Sequence, residues 1–278
     1  EVQLVDWNKT KTIFIVVFSI LNVFLYSMYV NSYNESKKLD VIGQTNIDDE
    51  LKVAHIKIAD LPTTVENTSY ISGKTKLFSA QDTVGLAANQ TFQFSPSKLV
   101  LTSKISIPYQ LENVDSEHLT EFVQSYAPMG KEYKLFTIDE KSRVATFFQM
   151  ANKQTIFYNE SAYIKVKWDA NKQITSYEQT AFKNLKSFGE ESTLVTPNQA
   201  VKTLFKKGYL PEYSRVTKAE LGYSTLVPLT ETRVLSPTWR IHVEVPKNDK
   251  MVSEDMFINA VDGQYIDVSE NKEALEAK

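Results

Sequence analysis

The run IFIVVFSILNVFLYSMYV, from Ile13 to Val30, contains no charge, no proline and no glycine. Eighteen helical residues rising about 1.5 Å each reach roughly 27 Å, close to the hydrocarbon thickness of a bilayer. The run exceeds an ordinary signal-peptide core. Tyr29, Val30, Asn31, Ser32 and Tyr33 follow it where a peptidase needs small residues, and the chain has no cysteine for lipid attachment. The expectation is therefore an uncleaved signal anchor: a short cytoplasmic tail over 1–12, one transmembrane helix over 13–30 and a polar stalk over 31–45. The opening EVQLV, residues 1–5, fits no element and is set aside, read either as a non-native remnant or as an over-extended start. Lys9 and Lys11 precede the span while Lys37 and Lys38 follow it, so charge counting leaves the orientation tied. A short tail and a cysteine-free chain suit a large domain outside a bacterial cell. The sequons at Asn34, Asn67, Asn89 and Asn159 would matter only in a eukaryotic setting.

Beyond the anchor, the composition removes whole classes of function. The net charge is −3 and only four arginines are present, so no basic stripe is available for nucleic acid. Without cysteine there is no thiol nucleophile. No Gly-x-Ser-x-Gly, phosphate-binding glycine loop or His-Glu-x-x-His occurs, and eight glycines leave little for ligand-cradling loops. His55, His118 and His242 are scattered, with no second histidine at ligand spacing. His118 is expected on a polar helix face, and His242 facing solvent or a sheet partner. The acids Asp48, Asp49 and Glu50 suit a helix N-terminus, Asp139-Glu140 a strand-to-strand turn and Glu190-Glu191 a loop. The reading is a chain with no catalytic, metal or cofactor residues. Its fourteen tyrosines and fifteen phenylalanines suit core packing and a protein–protein surface.

The patterning after residue 45 is mainly period two. A helix is expected first, from Ile47, Leu51, Ala54 and Ile58. Strands follow in SYISGKTKLFSA, TFQF and KLVLTSKISIPYQL, with turns at Ser72-Gly73 and Ser95-Pro96. Leu119, Phe122, Val123 and Tyr126 then form a helical stripe capped near Asp115 or Ser116. EYKLFTID, RVATFFQMA, QTIFYN and SAYIKVKWDANKQITSYEQTAF read as strands, with DANKQ as a hairpin turn and LKSFGEEST as a loop. Thr196, Pro197, the stripe Ala200, Val201, Leu204 and Phe205, and Gly208 spell a complete helix. RVTKAELGYSTLVPL, TWRIHVEV and DMFINAVDGQYIDV close the chain as strands. The fold class is α+β with antiparallel sheets and a few packed helices, in two related extracytoplasmic subdomains over 46–155 and 156–278.

The span itself is patterned. Thr12, Ile15, Ser19, Asn22, Tyr26 and Tyr29 recur at three- and four-residue spacing, which places them on one seam, while Ile13, Val16, Val17, Ile20 and Phe24 lie elsewhere. Asn22 falls near mid-membrane, where an amide gains about 0.6–2 kcal/mol from an interhelical hydrogen bond. Ile15, Ser19, Asn22, Tyr26 and Tyr29 are the candidate contact residues.

DWNKTKTIFIVVFSILNVFL, LKVAHIKIADLP, AELGYSTLVPL and the closing TWRIHVEV…FINAVDGQYIDV together resemble the YycI (WalI) family of low-GC Gram-positive bacteria. The resemblance implies a single-pass protein of the cell membrane with its N-terminus cytoplasmic and its large domain outside. It also implies an α+β fold related to the companion YycH. The implied function is non-catalytic. Such proteins assemble with a YycH-like membrane protein and a YycG (WalK)-like sensor histidine kinase, and adjust a two-component system that controls cell-wall metabolism. Two alternatives are a module that binds cell-wall polymer and a PepSY-like protease inhibitor, the latter suggested by the strand pattern of Trp239 to Val268.

Overall fold

The structure, a computed structural model, describes residues 7–42, 44–63, 67–225, 232–248 and 250–276. Residues 1–5 and the whole of LVPL, 226–229, fall outside the described residues. Two compact units result, residues 1–55 and 56–278.

The first unit is helical. α1 runs from Trp7 to Ile42 without interruption, so residues 31–42, expected as stalk, continue the helix of the span. Lys11–Val30 is long and apolar enough to cross a membrane, with a mean hydropathy of 2.2. α2 covers Gln44–Val53, with Ile47 and Leu51 buried as its stripe requires. The expected helix stops short of Ile58. His55 takes a left-handed φ of 55°, and Lys57–Ile58 instead forms a short strand. A non-glycine residue in that region does not continue a right-handed helix.

The second unit is an antiparallel-dominated sheet domain. Its strands are β1 (Lys57–Ile58), β2 (Thr68–Thr75), β3 (Gln90–Phe94), β4 (Leu101–Gln110), β5 (Tyr133–Asp139), β6 (Val144–Ala151) and β7 (Gln154–Ile156). β8 (Tyr163–Trp168), β9 (Gln173–Gln179), β10 (Phe182–Ser192), β11 (Arg215–Thr225), β12 (Thr232–Lys247), β13 (Lys250–Asn259) and β14 (Tyr265–Ile266) complete them. The helices are α3 (Ser116–Tyr126), α4 (Pro197–Lys206) and α5 (Ser269–Glu276). The hydrogen-bonded order is β10-β2-β12-β11-β7-β6-β8-β9-β4-β3, with β1 on β11, β5 on β6, and β13 and β14 beside β12. Strands from either side of residue 155 are shared throughout, since β2 pairs with β10 and β12, and β8 bridges β6 and β9.

The helices sit where their sequences put them. Asp115 caps α3 by accepting from the His118 N–H, and Leu119, Phe122 and Val123 are buried. They pack on Phe147, Ile164, Val166 and Tyr177 from one face of β6, β8 and β9. Each fully buried side chain of this size contributes about 1.5–3 kcal/mol. Thr196 and Gln199 form a reciprocal capping box on α4, Pro197 occupies its first turn, and Ala200, Val201 and Leu204 are buried. Gly208, at φ 76°, follows its end. Nearby, the Trp239 indole N–H donates to the Val195 carbonyl at 2.8 Å.

Two further expectations are corrected. Residues 185–192 of LKSFGEEST are not a loop: they lie in β10, paired to β2 across two bulges, and Glu190-Glu191 lie in that strand. The segment is largely exposed and lacks apolar alternation, so non-local pairing to β2 makes it a strand. Ser72-Gly73 is not a turn either. Both residues lie inside β2, and a Cβ on Gly73 would approach Leu185 Cδ2 to 2.8 Å, so the glycine serves close packing.

β12 joins the neighbouring strands. It pairs with β2 through Leu235 and with β13 from Thr238 on, and Pro237 lies at this change of partner, where the missing N–H leaves no gap in either ladder. The buried Asn259 Oδ1 fills the junction by accepting from the Ser236 hydroxyl and the Val261 N–H.

Candidate functional site

The predicted seam lies on one face of an unbroken helix. Ile15, Ser19, Asn22, Tyr26 and Tyr29 all fall within α1, and their side chains are exposed, as are those of the rest of the span from Lys11 to Tyr29. Asn22 Nδ2 donates to the Phe18 carbonyl one turn earlier, at 2.9 Å. That bond uses one of the two amide protons and leaves the Oδ1 acceptor directed by the same rotamer. A polar group held this way can be carried in lipid at modest cost and still receive a hydrogen bond from a neighbouring helix.

The sheet domain supplies a second feature. Along β12, Trp239, Ile241 and Val243 are buried on one face, while Arg240, His242 and Glu244 alternate onto the other. Arg240 Nη1 reaches Glu220 on β11 at 3.0 Å and Nη2 reaches Asp255 on β13 at 2.7 Å, and its guanidinium lies 4.3 Å from the Phe136 ring centroid. Asp255 also meets His242 Nδ1 at 2.7 Å, and Lys218 joins Glu220 at 2.8 Å. Burial raises the Glu220 pKa, but Lys218, Lys134 and Arg240 outweigh it and hold the carboxyl below its ordinary range.

Beside this network lies a groove of about 790 Å³ between β13, β14 and α5 on one side and β5, β6 and β8 on the other. Phe136, Phe148, Tyr158 and Phe257 give it aromatic walls, and Lys165, Lys167 and Asp255 also face it. The Tyr163 hydroxyl, donating to Glu178 nearby, is pushed far up by burial and by that carboxylate. No cluster of three or more His, Asp or Glu that could hold a metal occurs among the described residues. His118 is paired to Asp115 at 2.8 Å, and the Asn159 sequon side chain is buried and bonded to Thr225 and the Ser161 N–H.

The groove was beyond sequence reasoning, because its residues come from strands far apart in the chain. The period-two placement of Arg240, His242 and Glu244 was the one signal for the ion network.

An apolar anchor helix and an antiparallel sheet domain bearing a groove define a membrane-anchored α+β protein. The family model described as YycI protein matches residues 36–261, and the chain belongs to the YycI family. No curated protein sequence matches it. Among solved structures, the chain is similar to an uncharacterized protein from Eubacterium rectale, with a TM-score of 0.45, 11% identity, and coverage of 76% of this chain and 90% of that one. It is also similar to YycH from Bacillus subtilis, with a TM-score of 0.37, 16% identity, and coverage of 76% and 61%. The third is the YpeB C-terminal domain of Bacillus megaterium, with a TM-score of 0.39, 11% identity, and coverage of 70% and 87%.

Proposed function

We propose that this protein is a non-catalytic regulator of a membrane sensor histidine kinase. On this reading it works with a YycH-like partner, its N-terminus is cytoplasmic and its sheet domain lies outside the cell membrane. Membership of the YycI family fits a regulator associated with the YycFG two-component system. The observation that supports the reading further is the placing of Ser19, Asn22 and Tyr26 on one face of the unbroken helix α1, with the Asn22 Oδ1 acceptor left open beside its bond to Phe18. In lipid, apolar side chains gain little from helix pairing, so an amide and a hydroxyl on one face are the groups that specify a neighbour.

Asn22→Leu is expected to weaken association with the kinase in a membrane two-hybrid assay several-fold, corresponding to about 0.6–2 kcal/mol, while Ile20→Leu leaves it unchanged. Equal signals from the two variants would remove the seam from the interface. A pull-down from membranes comparing the full chain with residues 56–278 separates recognition by the span from recognition by the sheet domain.

A further inference from the structure

The floor of the groove is the face of β5, β6 and β8 turned away from α3. The register sets it in two rows, Asp139–Val144–Lys167 and Thr137–Thr146–Lys165, with Phe136 and Phe148 beside them. β13, β14 and α5 supply the opposite wall, which includes Glu254, Asp255, Phe257, Tyr265 and Asp267. Tyr265 is held there by stacking on Tyr209, with ring centroids 3.9 Å apart. With Lys272, the carboxylates and ammonium groups around the space nearly balance, so a strongly charged ligand gains little from it.

The carboxylates are already engaged. Asp139 accepts from the Ser142 N–H and hydroxyl, Glu254 from Lys247, Asp255 from Arg240 and His242, and Asp267 from the Ser269 N–H. Each keeps lone pairs for a further donor, because an ionised carboxylate accepts about four hydrogen bonds. Lys165 is committed to the Leu275 carbonyl. Lys167 differs: its ammonium has no hydrogen bond or ion pair among the described residues, and neither do the Thr137, Thr146 and Ser253 hydroxyls.

We propose that the groove binds a short acidic saccharide, in the space that α5 leaves open. The unengaged groups specify that chemistry. Sugar hydroxyls both donate and accept, so one ligand can meet the three open hydroxyls and the remaining carboxylate lone pairs together. The C–H faces of pyranose rings suit the aromatic walls, because the negative face of a π-system attracts weakly positive hydrogens. A single carboxylate on the ligand answers the ammonium of Lys167. A phosphate dianion would face Glu254, Asp255 and Asp267 across the groove, and a cation would meet only carboxylates that already have partners. The volume of about 790 Å³ lies within the range of small-ligand pockets, about 300–1,000 Å³, which suits a disaccharide and not a long chain. This site is separate from the α1 seam and does not depend on the regulatory reading.

Isothermal titration calorimetry on the full chain in nanodiscs compares three disaccharides. They are N-acetylglucosaminyl-N-acetylmuramic acid, N-acetylglucosaminyl-glucuronic acid and the neutral diacetylchitobiose. At least one acidic sugar is expected to bind about tenfold more tightly than the neutral one, through a charge-assisted contact. The better of the two acids distinguishes a carboxylate carried on a lactyl ether from one carried on the ring. Lys167 is exposed, so its substitution leaves the fold intact. Lys167→Gln is expected to remove the preference, and Lys167→Arg to keep it. Thr146→Val keeps the shape of the side chain and loses its hydroxyl, and is expected to weaken the acidic sugar about threefold. Absence of binding at millimolar concentration, equal binding of acidic and neutral sugars, or affinities indifferent to either Lys167→Gln or Thr146→Val overturns the proposal.

Discussion

Gly222 sits in the AELGYSTLVPL run where β11 meets β7 in parallel register with Thr155. A Cβ there would lie 2.3 Å from Phe157 Cε2 and 2.4 Å from the Thr155 carbonyl oxygen, and the backbone atom cannot swing aside. Gly222→Ala is therefore expected to destabilise the sheet domain by about 1–3 kcal/mol or more, read as a lowered midpoint in urea unfolding. His118 poses a question of charge at the same scale. Its hydrogen bond to Asp115 raises its pKa above the ordinary 6.5, and the bonds from the His118 N–H and ring lower the Asp115 carboxyl below its ordinary 3.8. The histidine's share of the stability is complete below its ordinary value and fades as pH rises through the raised one. The aspartate's share is complete above its ordinary value and fades as pH falls through the lowered one. The pair thus contributes most between those two ordinary values. Asp115→Asn keeps an N-cap acceptor while removing the charge, so the His118 midpoint in an NMR titration is expected to fall toward 6.5. An unchanged midpoint would assign the shift elsewhere.

At the scale of elements, legibility followed locality. α3 and α4 could be read from sequence because cap, stripe and terminator lie within a dozen residues and act on each other directly. The turn at Asp169 could be read for the same reason, since its carboxylate accepts from the Asn171 and Gln173 N–H groups. β10 could not. Lys183, Lys186 and the bulge residue Asn184, at φ 56°, give no alternation, and the pairing that makes the strand comes from β2 more than a hundred residues earlier. β1 was lost to a helical stripe that happened to include Ile58, which lies 37% exposed in the strand rather than on a buried helix face. That Ile15, Ser19, Asn22, Tyr26 and Tyr29 share a face of α1 follows from their spacing alone, because a helix converts spacing directly into a face.

On the scale of the whole molecule, the ion network ties β5 to the three consecutive strands β11, β12 and β13. Lys134 of β5 meets Glu220 of β11, which meets Arg240 of β12, which meets Asp255 of β13. The Arg240 guanidinium, 18% exposed, is the shared member, so its removal leaves Glu220 with only Lys218 and Lys134 and Asp255 with only His242 in a half-buried setting. Arg240→Met, which preserves most of the stem's packing, is expected to cost about 1–3 kcal/mol in chemical denaturation. Lys134→Met, at the exposed margin of the network, is expected to cost less than about 1 kcal/mol. The groove beside this network was invisible in the sequence, since its walls exist only once β5, β8 and β13 have been brought together.

The unbroken course of α1 has a mechanical consequence. Its 36 residues make a shaft of about 54 Å, of which the membrane-crossing run accounts for about 30 Å. A shaft with no swivel at the bilayer surface conserves angular phase, so the direction in which Asn22 points fixes the azimuth of Ile42. One alanine inserted after Val30 would turn everything beyond it by about 100° while lengthening the rod by only about 1.5 Å, and four would bring it nearly back into phase. On the regulatory role proposed above, the output of the two-component system is expected to follow the angle of the insertion rather than its size, with one added residue doing more harm than four.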